Sequence, residues 1–225
     1  MSANCVILAN GAPPAHPAAR ALLRAARRLV CCDGALRAAR AAGREPDLVV
    51  GDGDSLAPAE ADALGARFVR IAEQETNDLD KAFRTAVARF GGAGVVILGA
   101  GGLREDHFLG NVFRLPDFAR AAPDVALVTD AGTFTVVRGA RTYACAPGEP
   151  VSVFAPTPTA RAASRGLAWP LDGVALDALW KGTLNRTTGE AFTLRSDVPL
   201  LVYRPHAAPP PAFTNPNPEP KGRPR

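Results

Sequence analysis

Over the first 138 residues, short apolar runs alternate with longer segments that carry a helical stripe. The runs fall at 5–9, 29–32, 47–50, 68–71, 95–98 and 125–129. They are rich in Val, Ile and Leu, the composition of strands covered on both faces. Between them the pattern predicts helices over 17–28, 36–42, 58–64, 78–90 and 106–121. The fourth is the clearest. Leu79, Ala82, Phe83, Ala86, Val87 and Phe90 recur at three- and four-residue steps and form one stripe. Asp78 and Asp80 fall in its first turn, where the helix dipole favours negative charge. Such strand–helix alternation predicts a parallel α/β sheet.

From Thr133 the pattern changes. Runs rich in Val, Thr and Phe, at 133–137, 151–154, 166–171, 191–194 and 200–203, recur between Pro and Gly. This spacing predicts an antiparallel β unit. Residues 174–179 fit a short helical turn or a strand equally well. After Tyr203 the chain is Pro-rich, with eight prolines between 205 and 225, a composition that predicts disorder. The expected organisation is an α/β domain over 1–138, a β domain over 139–204 and a tail over 205–225.

Composition narrows the picture. A chain of 225 residues that is 47% apolar can bury a substantial core. The net charge is only +4, and the tail supplies part of it through Lys221, Arg223 and Arg225 against Glu219. Acids and bases are interspersed elsewhere, which argues against a nucleic-acid partner. Cys5, Cys31, Cys32 and Cys145 form no C-x-x-C pair. The first three lie in strand-like runs and read as buried thiols, as suits a reducing compartment. No signal-peptide pattern opens the chain, and no run is long enough to cross a bilayer. A soluble cytoplasmic protein is the expectation.

The candidate chemistry lies just past the apolar runs. Gly51-Asp52-Gly53-Asp54-Ser55 follows the third run, and its two acids share a face in extended backbone. Asp, Gly and Ser also make ordinary turns. Thr76-Asn77-Asp78-Leu79-Asp80-Lys81 opens a helix, with Thr76 or Asn77 as its N-cap. Lys81 reads equally as solvated or as a phosphate contact. Asp33-Gly34 and Asn10-Gly11 end two other strands, as site residues or as turns. Acids past strand ends line the carboxyl edge of an α/β sheet, where such sheets bind ligands. Gathered there they repel unless a cation intervenes, and magnesium suits a site shared with phosphates. Asp52, Asp54 and Asp78 are the expected metal ligands.

Gly99-Ala100-Gly101-Gly102-Leu103-Arg104-Glu105-Asp106-His107, with Asn111 beyond it, is the second strong signal. Glycines between a strand and a helix let backbone N–H groups cradle phosphate. The run is neither the dinucleotide fingerprint nor a P-loop, because Arg104 takes the third glycine position and no Gly-Lys-Ser/Thr follows. His107 reads as structural or as a proton carrier. Trp169 and Trp180 lie in the β part, where a lone Trp is more often core than ligand platform.

The order Asp33-Gly34, Gly51-Asp52-x-Asp54-Ser55, Asp78, Arg104-x-Asp106-His107 and Asn111 resembles the thiamine diphosphokinase (thiamine pyrophosphokinase) family. So does Gly166-Leu167-x-Trp169 followed by Asn185, and the resemblance covers residues 5 to 203. It implies a Rossmann-like catalytic domain followed by a β-sandwich, in a homodimer with active sites at the subunit interface. The implied reaction is thiamine + ATP → thiamine diphosphate + AMP, with Mg2+. Asp52, Asp54, Asp78 and Asp106 would be the catalytic acids. Asp33, Gly101, Gly102, Arg104 and Asn111 would hold ATP and its phosphates. Trp169 and Asn185 would form the thiamine wall, contributed by the other subunit. The chain departs from the family at Asn77, where a Thr usually precedes the acid, and at Leu184, where a Ser usually precedes the Asn. Two rival readings keep the acids: a pyrophosphokinase for another heterocyclic alcohol such as a pterin, and a nucleotide or thiamine sensor without turnover.

Overall fold

The computed structural model describes residues 3–158 and 160–206. The expectation for the tail therefore falls almost wholly outside the described residues. Strands β1 (Cys5–Leu8), β2 (Arg28–Cys32), β3 (Leu48–Gly51), β4 (Phe68–Arg70), β5 (Val95–Leu98) and β6 (Ala126–Val128) follow the predicted runs. Helices α1 (Pro17–Ala25), α2 (Leu36–Ala41), α3 (Pro58–Leu64), α4 (Asp78–Phe90) and α5 (Glu105–Phe118) lie between them. Helix α1 stops short of Arg28 because that residue belongs to the sheet: its N–H donates to the Asn4 carbonyl, and it pairs with Cys5. Helix α5 carries Pro116 in its last turn and stops soon after.

The six strands are parallel, in the order β4-β3-β2-β1-β5-β6. The chain leaves β1 toward β2, β3 and β4, then crosses to β5 and β6. The strand order thus reverses between β1 and β5. In an open α/β sheet, the crevice at such a reversal is where ligands bind.

The sheet is mixed rather than purely parallel. It continues through β7 (Gly132–Ala144), antiparallel to β6, and then β11 (Ala191–Pro205), β8 (Pro150–Phe154) and β10 (Asn185–Arg186). Strand β9 (Ala163–Arg165) pairs with β11. The runs at 191–194 and 200–203 are halves of one strand. A register shift between Ser196 and Leu200 sets Asp197-Val198-Pro199 opposite Arg138, and this bulge interrupts the apolar pattern. The run at 133–137 is likewise only the start of β7. Residues 166–171 do not form a strand: Gly166 takes φ +76, and only Leu167 makes a bridge, to Thr187. Residues 174–178 take neither expected form, and only Leu179 enters a helical turn, the 3₁₀ turn over Leu179–Gly182.

Two apolar clusters share this sheet. The larger joins β1–β6 to the helices. The smaller gathers Tyr143, Val151, Val153, Phe192 and Leu194. Strands β7 and β11 serve both. Val136 and Leu201 face the larger cluster, while Val137, Leu200 and Val202 face the smaller, as period-two alternation requires. Phe83 of α4 stacks on Phe118 of α5 with centroids 4.1 Å apart, tying together the two helices that open onto the crevice. Cys5, Cys31 and Cys32 are buried, as expected. Burial pushes Cys5 up to about 11 and Cys31 up to about 12, so both stay protonated and inert. No helix among the described residues is long and apolar enough to cross a membrane.

Candidate active site

The ends of β1, β3 and β5 and the starts of α4 and α5 enclose a cleft of about 420 Å³. Asp52, Asp54, Asp78, Gly101, Arg104 and Asn111 all line it, so most of the expected site residues meet there.

The acids hold different environments. Asp33 is only 2% exposed and sits beneath the loop that carries the other two. Its carboxylate accepts from the Gly34 N–H at 2.7 Å and the Gly53 N–H at 3.0 Å. Burial pushes its pKa up, against the pull of those two N–H groups, and nearby Asp78 and Asp54 add to the rise. A side chain on Gly51 would meet this carboxylate at 2.4 Å, so only glycine lets Asp33 seat there. Asp52 accepts from Gln74 Nε2 at 2.9 Å and from the Asp54 N–H at 3.1 Å. These bonds hold its carboxyl below the usual range.

Carboxylate oxygens of Asp33, Asp52 and Asp54 lie within 4.8 Å of one another. An all-oxygen set of this kind fits a hard divalent cation. The cluster differs from the expected one, since Asp33 takes part and Asp78 stands outside it. Asp78 faces Lys81 instead, with Nζ 3.4 Å from Oδ1. Lys81 is 1% exposed, which removes the reading of a solvated lysine. A buried ammonium costs several kcal/mol unless paired, so its place in the cleft wall needs the acids around it.

Gln74 gives no signal in the sequence. It lies in an irregular loop organised by Glu73, whose carboxylate accepts from the N–H groups of Glu75 (2.8 Å) and Thr76 (3.1 Å), from the Thr76 hydroxyl and from Arg84. The Thr76 hydroxyl leads these bonds in pulling the Glu73 pKa from 4.5 to about 2. A pKa lowered in the folded state stabilises above the unfolded value, and that contribution is lost as pH falls through the folded one. Denaturant titrations are therefore expected to show wild type more stable than Glu73→Gln above pH 4.5, the gap closing toward pH 2. A gap constant across that window contradicts this.

The glycine-rich loop after β5 packs backbone to backbone on the loop after β1. The Gly11 N–H donates to the Gly99 carbonyl at 2.7 Å, and the Ala12 N–H to that of Gly101 at 2.8 Å. Asn10 and Gly11 line the cleft. Gly102 does not line it. Neither does Asp106, whose carboxylate accepts Nε and Nη2 of Arg104 and is held by that guanidinium far below the usual range. His107 lines the cleft beside Arg104.

Trp169 and Asn185 stand apart from this cleft. Asn185 is 3% exposed and brackets the Trp169 main chain: Nδ2 donates to its carbonyl at 2.6 Å, and Oδ1 accepts its N–H at 3.2 Å. Asn185 therefore fixes the Trp169 backbone, while the Trp169 side chain stays 59% exposed. Leu184 adopts φ +59 and is the most exposed large apolar residue among those described, at 83%.

Family comparisons cover most of the chain. Residues 19–127 match the thiamin pyrophosphokinase catalytic domain, and 132–203 the thiamin pyrophosphokinase substrate-binding domain. The chain belongs to the thiamin pyrophosphokinase family. Membership brings the family's activity, ATP-dependent diphosphoryl transfer to thiamine. Solved structures agree on the fold. A thiamin pyrophosphokinase family protein from Enterococcus faecalis aligns with TM-score 0.76 at 21% identity, covering 92% of this chain and 100% of the other. Thiamine pyrophosphokinase from Bacillus subtilis aligns with TM-score 0.75 at 21% identity, covering 91% and 99%. The yeast enzyme gives 0.69 at 13%, covering 91% and 86%. No curated protein sequence matches the chain significantly.

Proposed function

We propose that ATP lies across the carboxyl edge of the sheet and that thiamine is presented to it by a second copy of the chain. Asp52 and Asp54 line one cleft with the glycine-rich loop, at the strand reversal, and the Asp33 carboxylate lies beneath them within 4.8 Å; this grouping carries the reading. Asp33, Asp52 and Asp54, with Asp78 beside them, would hold magnesium, which when bound supplies positive charge to the nucleotide's phosphates. Backbone N–H groups of the loop after β5 and the start of α5 hold the phosphates, and Arg104 adds charge. The thiamine hydroxyl oxygen attacks the β-phosphorus in line. The new O–P bond forms as the bond between that phosphorus and the oxygen bridging to the α-phosphate breaks, AMP leaves with that bond's electron pair, and the hydroxyl proton passes to solvent. Lys81 spreads positive charge through the acid cluster. Such transfers depend on positioning and on charge neutralisation.

Trp169 forms the thiamine wall, set in place by Asn185. Its separation from the cleft within one chain, with exposed Trp180 and Leu184 nearby in sequence, supports a homodimer whose sites are shared. The two apolar clusters and the two family matches support a Rossmann-like catalytic unit over 1–138 and a β-sandwich over 139–204.

Positional labelling tests the reaction. With magnesium and thiamine, label from the β-phosphate of ATP is expected in thiamine diphosphate and label from the α-phosphate in AMP. Transfer of the γ-phosphate alone, leaving ADP, would sink the scheme. Mixing inactive Asp54→Asn and Trp169→Ala proteins is expected to restore turnover that neither shows alone. No recovery after subunit exchange contradicts the shared site.

A further inference from the structure

Asn77 and Asn111 line the cleft, yet neither amide is free to meet a ligand with both ends. Asn77 Oδ1 accepts the Asp80 N–H at 2.9 Å and so caps α4. Asn77 Nδ2 donates to Asn111 Oδ1 at 3.3 Å, and Asn111 Nδ2 donates to the Ala100 carbonyl at 3.0 Å. The result is a directional relay from the backbone of α4 through two side chains to the glycine-rich loop. Its ends fix its orientation. The Asp80 backbone N–H can only donate and so needs the Asn77 oxygen, and the Ala100 carbonyl can only accept and so needs the Asn111 N–H, so flipping either amide breaks bonds on both sides.

We infer that Asn77 and Asn111 are a positioning pair that sets the spacing between the acid-bearing start of α4 and the phosphate loop after β5. The inference rests on the reading that this cleft holds the nucleotide. Asp78 follows Asn77 directly, and the Asn77 carbonyl accepts the Lys81 N–H at 3.2 Å, so the relay is anchored where the helix presents both charges. At the other end Ala100 lies between Gly99 and Gly101, the two residues that bond the loop after β1. Asn111 is 8% exposed, so breaking the relay strands a buried acceptor. The carboxamide is the part that matters. A hydroxyl at position 77 would still cap α4, but it is too short to place a donor on Asn111 while doing so.

Asn77→Ser separates capping from bridging. It is expected to keep the thermal midpoint within a few degrees of wild type. Its affinity for magnesium–α,β-methylene-ATP, read by calorimetry on the full chain, is expected to fall about tenfold, the order lost with one charge-positioning bond. Asn111→Ala should lose a similar factor, and the double variant no more than either single one, because either change breaks the same relay. Wild-type affinity in Asn77→Ser, or losses that multiply in the double variant, would overturn the inference. Should Asn111→Ala fail to fold, amide hydrogen exchange in Asn77→Ser decides alone. Faster exchange at 99–102, across the cleft from the substitution, supports the relay, and unchanged exchange there overturns it. These readouts need no turnover. Wild type that binds the analogue but forms no thiamine-dependent AMP would refute the proposed reaction and leave the relay to its own test. Wild type that binds no nucleotide would overturn both.

Discussion

Asp54→Asn is expected to lower kcat by about a thousandfold while leaving the thermal midpoint unchanged. Asp54 is exposed at the cleft, and among the described residues its carboxylate accepts only the neighbouring Ser55 hydroxyl, at 3.0 Å, a bond that an asparagine oxygen retains. What the substitution removes is a negative charge from a three-carboxylate set whose oxygens lie within 4.8 Å of one another. Asp33 cannot compensate, since two backbone N–H groups and its burial fix it beneath the loop. The loss should persist at saturating magnesium if the charge acts in the transition state. Steady-state kinetics over a magnesium series checks it. A variant that regains wild-type kcat at high magnesium would show that Asp54 only adds affinity for the ion.

Lys81→Met is expected to divide stability from activity still more sharply. The methionine fills nearly the same volume and carries no charge. Replacing one partner of a buried pair usually costs several kcal/mol, because the other charge is left uncompensated. Here the remaining partner, Asp78, has a side chain 47% exposed and can recover solvent. The thermal midpoint should therefore hold or rise. Turnover should fall by about a hundredfold or more, because the cation buried among the acids is gone. Lys81→Arg should not rescue it, since a guanidinium is too large for a site that leaves lysine 1% exposed. A Lys81→Met protein with normal turnover would make this lysine a structural residue only.

How much of this was legible in the sequence depends on how local the cause was. The parallel strands and their helices could be read because each run is buried on both faces, and α4 could be read from one stripe and its cap. The acids at Asp52, Asp54 and Asp78 followed from strand ends and a helix start. Continuity of β7 and β11 was hidden, because the bulge at Asp197-Val198-Pro199 and Gly139, which pairs with Ser196 beside it, resemble turns. The pairing of β6 with β7, which joins the two units into one sheet, was equally hidden, since the pattern along the chain does not say which strands become neighbours. Asp106 was expected at the chemistry, but Arg104 two residues earlier engages its carboxylate outside the cleft. Asn111 and Asn185 were read as ligand contacts, and the hydrogen bonds of their amides to backbone and to Asn77 could not be read beforehand. Such partners depend on the tertiary fold. So does Gln74, which reaches Asp52 from a loop with no periodicity at all. The activity itself was legible only through resemblance in the ordered motifs, since carboxylates at a sheet edge fit several phosphoryl transfers.

Phosphorus NMR of the purified protein with ATP, magnesium and thiamine tests the central claim most directly. Equal amounts of AMP and thiamine diphosphate, both requiring thiamine, are the expected products. No thiamine-dependent AMP from a folded protein that binds ATP would contradict the account.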